Sequence, residues 1–146
     1  MTGNQLLFLA CGVVLFALLG ALHMGGLRAI GWGKRERRRH PHLSVVVTFW
    51  ALGLLHLAEI AIGALALWLL LQIPGAGSLG PTFEGAPADY LYLAGIAFVT
   101  LGFAQTEVEG AIRMVVMLFS LGGFMLITWS ATFIYTIWGE SFHEKP

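Results

Sequence analysis

The segment Ala88–Gln105, ADYLYLAGIAFVTLGFAQ, decides how the rest of this chain is read. Roughly residues 88–100 are apolar, yet too few to cross a bilayer, which takes about 20 residues of helix. They lie between two runs that are long enough, roughly 44–73 and 112–138, and another such run covers roughly 5–30. A short apolar helix in that position is either re-entrant or interfacial.

Working outward, composition agrees with a membrane setting. Of 146 residues 58% are hydrophobic and only 11% charged, too apolar a balance for a soluble domain of this size. The chain has room for one compact domain, residues 1–146, with no repeat and no detachable module. Residues 1–43 form a first membrane helix and a basic loop, 44–138 a second unit built around the short helix, and 139–146 a polar tail. Met1 to Gln5 carry no Lys or Arg, so the first run is expected to stay as an anchor and not to act as a cleaved signal. The single cysteine, Cys11, lies in that run and reads as a small packing residue; a disulfide scaffold is excluded.

Net charge is zero, but the charges are segregated. Arg28, Lys34, Arg35, Arg37, Arg38 and Arg39 fall in or beside the first connection, which the positive-inside rule places in the cytoplasm. The N-terminus is then outside, the loop from about Pro74 to Pro87 is outside, and the C-terminus is cytoplasmic. Such a basic run beside a membrane helix suits anionic lipid heads, and no nucleic acid is expected. Glu84, Asp89, Glu107 and Glu109 gather on the predicted outer side with Arg113 the one base nearby. Asp89, Glu107 and Glu109, repeated around an oligomer, would ring an outer mouth and concentrate cations there, unless they are ordinary solvated loop residues.

The short helix and its strand resemble the pore helix and selectivity filter of potassium channels. The chain as a whole resembles small bacterial potassium-channel-like membrane proteins with a C-terminal pore module. Weaker support comes from His56-Leu57-Ala58-Glu59-Ile60, Arg113 and Trp129-Ser130-Ala131-Thr132. The resemblance implies an all-α membrane protein of three transmembrane helices plus a re-entrant pore helix and filter-like strand per chain. It also implies a homotetramer in a bacterial inner membrane that passes monovalent cations, potassium or sodium, with no other cofactor and no enzymatic activity. Thr100, Leu101, Gly102, Phe103 and Ala104 would line the filter, with backbone carbonyls replacing an ion's water.

Two positions depart from the family pattern. Ala104 stands where the family has a second glycine, and a non-glycine residue in the left-handed region costs roughly 1 to 2 kcal/mol, multiplied across four subunits. Gln105 replaces the aspartate that anchors the filter to the pore helix behind it. Both changes predict a relaxed filter with weak potassium selectivity. A channel-like scaffold or regulatory subunit that no longer conducts is the alternative.

In the last run, Gly122 and Gly123 suit either a gating hinge or close helix packing. Thr128, Thr132 and Thr136 recur every four residues, one polar stripe that would line an inner cavity or bond back to its own helix. His56 and Glu59 share a face near the middle of the second run, and His23 falls at a similar depth in the first. The three are read as a hydrogen-bonded strut, a proton-sensing cluster, or, more remotely, ligands of a metal or a bis-histidine haem, although no specific metal-ligand spacing is present. Gly25-Gly26 and the glycines of 75–80 lack the lysine and the strand-to-helix context of a phosphate loop, and the latter stretch predicts a flexible outer turret.

Overall fold

The computed structural model describes residues 2–32, 41–81, 83–101 and 107–142. Four helices appear among them: α1 (Gly3–Trp32), α2 (Pro41–Leu71), α3 (Pro87–Phe98) and α4 (Ile112–Phe142). α1, α2 and α4 are long and apolar enough to cross a membrane, close to the three runs legible in the sequence.

The starts of α1, α2 and α3 have local causes. Thr2 and Gln5 form a capping box: Thr2 N–H donates to Gln5 Oε1 and Gln5 N–H to Thr2 Oγ1. Pro41 and Pro87 open α2 and α3, where the missing N–H costs nothing and the fixed φ suits a first turn.

The long helices pack through small residues. A Cβ on Gly12 would press on Val115 and Leu118, and one on Gly122 would meet Phe16, so α1 and α4 run parallel. Gly26 sits against Leu55 and Gly63 against the Phe119 ring, which sets α2 antiparallel to both. The core between them holds Phe8, Leu19, Leu67, Val115 and Phe119.

Where α1 and α4 begin, a two-stranded antiparallel clasp closes that end of the bundle: β1 (Ser78–Leu79) pairs with β2 (Val108–Glu109). Gly80 N–H donates to the Glu107 carbonyl at 2.7 Å, and Ile112 N–H to that of Ala76 at 2.8 Å. Gly77 and Gly110, both at positive φ, cross back to back with no room for a Cβ on either. The stretch predicted as a flexible turret is therefore paired into the fold, with Ala76 and Leu79 buried. Residue pairing and backbone contact hold it despite its glycine content.

α3 descends from the clasp between α2 and α4, burying Leu93, Ala94 and Phe98. Its last residue, Phe98, rests its backbone on Gly123, eleven residues or about 16 Å along α4 from Ile112. On the other side the Phe98 ring meets that of His56, the midpoint of the 31-residue α2. The short helix thus ends halfway down the bundle.

Candidate functional site

α3 terminates in a particular cap. Thr100 N–H donates to the Ala97 carbonyl and Leu101 N–H to that of Ile96, the paired bonds of a Schellman motif. The left-handed position of that motif is normally glycine, and here it is Thr100 at φ 55°. A β-branched residue is strained there, by about 1 to 2 kcal/mol. Leu101 follows, exposed, beside an open groove of about 480 Å³ that Thr100, Ala97, Met117 and Arg113 also line. Gly102, Phe103, Ala104 and Gln105, the rest of the expected filter and its support, lie outside the described residues.

The three carboxylates expected at an outer mouth do share the clasp end. Asp89 has a structural task as well: its Oδ2 accepts the Ala86 N–H at 3.0 Å, capping the first turn of α3. Glu107 and Glu109 flank and form β2 with their side chains exposed.

Along α4, Thr128, Thr132 and Thr136 donate their hydroxyls to the carbonyls of Phe124, Thr128 and Thr132 at 2.8, 3.1 and 3.0 Å. The back-bonding half of the sequence reading is thus realised, and the stripe is exposed on the single chain. Thr128 and Thr132 border a second groove, about 430 Å³, with Phe16 and Gly20 of α1. Gly122 and Gly123 lie in an uninterrupted helix, each facing a packed neighbour.

His23, His56 and Glu59 come together. Glu59 bridges two helices: Oε1 lies 2.8 Å from His23 Nδ1 and Oε2 lies 2.8 Å from His56 Nδ1. His23 and Glu59 are fully buried, whereas the His56 side chain is 18% exposed. The imidazoles stack with centroids 5.4 Å apart and planes 19° apart. With both Nδ1 atoms turned to one carboxylate, the rings do not oppose each other across a gap as axial haem ligands do.

Three further residues complete the cluster. Ser130 Oγ is 3.3 Å from His23 Nε2, the Trp129 ring lies 5.5 Å from that of His23, and Phe98 covers His56. The sequence carried a signal for Ser130 only in retrospect: Gly12 with Leu118, Phe16 with Gly122 and His23 with Ser130 share an offset of about 106, which requires knowing that α1 and α4 are parallel. In comparisons with known proteins, no family model, curated protein or solved structure matches the chain.

Proposed function

We propose that copies of this chain assemble, as a tetramer, into a potassium-channel-like pathway for monovalent cations whose altered filter discriminates weakly between potassium and sodium. The observation that carries this reading is α3: twelve residues that start at the clasp and stop halfway down the bundle, with the chain back at the clasp by Glu107. A helix that ends inside a membrane points a partially negative terminus into it, which favours a cation. Its unpaired backbone groups are tolerable only when protein or a water-filled cavity surrounds them, which is the physical case for an oligomer.

In this reading the acidic clasp end faces outward, α1 carries Arg28 toward the cytoplasm, and the groove beside Thr100 and Leu101 lies at the pathway or at a subunit contact. Thr100 supplies the innermost filter oxygens, and the strain it bears is of a kind often kept at functional positions.

Cation flux into proteoliposomes carrying the purified chain tests the reading, with potassium, sodium and N-methylglucamine compared and Ala104→Gly run in parallel. Potassium and sodium passing alike, with potassium preference restored in Ala104→Gly, is the expected result. Potassium-only flux in the unmodified chain would sink the relaxed filter but keep the channel. Absence of flux in a well-assembled tetramer would overturn the channel and leave a scaffold.

A further inference from the structure

We propose that His23, His56 and Glu59 form a binding site for a divalent transition metal of the zinc class. Among the described residues they are the one convergence of three such side chains, each offering a ligand atom within 4.8 Å of the others. Two imidazoles and a carboxylate are a ligand set suited to zinc and its neighbours, with a fourth position left for water.

The spacing fits. Ligand atoms around a tetrahedral zinc at about 2.0 to 2.1 Å sit roughly 3.3 Å from one another. Each Nδ1 lies 2.8 Å from a Glu59 oxygen, and the three ligand atoms all lie within 4.8 Å of one another, so they are already gathered near the spacing such an ion requires.

The surroundings fit as well. A ligating histidine ordinarily donates its other ring N–H to a fixed acceptor, and Ser130 Oγ stands at His23 Nε2 to receive it. Trp129 and Phe98 close the apolar shell. His56, the one partly exposed ligand, marks the way in.

Charge gives the reason for a cation. The Glu59 carboxyl is fully buried among apolar helices, and the ion-pair partners described for it are His23 and His56 alone. A divalent ion held by all three would give the buried carboxylate a cationic partner and tie α1 to α2 directly, and to α4 through Ser130.

Cobalt(II) titration of the full chain in detergent, after EDTA treatment, is the test. It is read in the visible without any flux, so its outcome is independent of the channel reading. The expected result is a set of intense d–d bands that saturate at one cobalt per chain and are displaced by zinc. Glu59→Gln, which keeps the shape but removes the anionic ligand, is expected to weaken binding about 100-fold or more, and Ser130→Ala about 10-fold. Replacing the three other histidines, His40, His42 and His143, by glutamine should leave the bands unchanged.

No bands in the unmodified chain would overturn the site and leave a hydrogen-bonded strut. Bands that survive Glu59→Gln, or that vanish when His40, His42 and His143 are replaced, would overturn it too. Circular dichroism accompanies each variant. Should Glu59→Gln fail to fold, the unmodified chain and Ser130→Ala still decide.

Discussion

The backbone of Phe98 lies directly on the Cα of Gly123, so that the end of α3 is seated on α4 with no space for a side chain between them. The contact is made by backbone atoms, which cannot swing aside. Gly123→Ala is therefore expected to destabilise the chain by about 1 to 3 kcal/mol, as overpacking does. Gly122→Ala meets only the Phe16 ring, at 3.2 Å, and gains helix propensity, so it should be neutral or slightly stabilising. Thermal unfolding of both variants in detergent checks this. Equal effects would mean that α3 is not held at Gly123.

Gly63 presents a different case, because the atom its Cβ would strike is the ring of Phe119, a side chain that is itself buried against Phe98. Gly63→Ala alone should cost about 1 to 3 kcal/mol. Combined with Phe119→Leu, which clears the space, the pair should show a coupling of about 1 kcal/mol or more. Additive losses in the double-mutant cycle would place the two helices farther apart than this structure does.

Thr100 separates stability from function. Glycine at this left-handed cap position removes the clash of Cβ with the backbone, so Thr100→Gly should raise stability by about 1 kcal/mol. In the proposed channel the same change removes the innermost hydroxyl, and cation flux should fall. A variant that is both less stable and unimpaired in flux would contradict the cap and the filter role together.

How much of this was legible in the sequence follows from the range of the interactions. Spans show because hydrocarbon thickness imposes a run length, and α3 shows because Ala88 to Thr100 falls short of it. The clasp does not show: β1 and β2 have two residues each, too few for any alternation, and are fixed by backbone bonds across the fold. Thr100 hides its cap because the residue is not the glycine that usually marks one. His56 and Glu59 could be paired from their i, i+3 spacing alone. His23 was placed beside them only by depth, and Ser130 needed the helix register. The threonine stripe was visible as a face, but its spacing could not say that the hydroxyls bond within their own helix.

The buried triad makes the sharpest energetic prediction. Glu59 is fully buried, and its two oxygens are each held by one imidazole. Taking away His23 leaves one oxygen of a fully buried carboxylate without its partner, and Ser130 loses its neighbour as well. Breaking such a pair from one side is expected to cost on the order of 3 kcal/mol, so His23→Ala should lower the unfolding free energy by that amount, measured in EDTA to exclude metals. Removing all the polar groups is a different matter. His23→Leu, His56→Leu and Glu59→Leu together replace desolvated charge by apolar packing of similar volume, which is often neutral or stabilising. The triple variant should therefore be more stable than the single one. If His23→Ala costs less than about 1 kcal/mol, an exposed-pair value, the carboxylate is reached by water and the cluster is open, not sealed. If the triple variant is the less stable of the two, the triad contributes packing that leucine cannot reproduce.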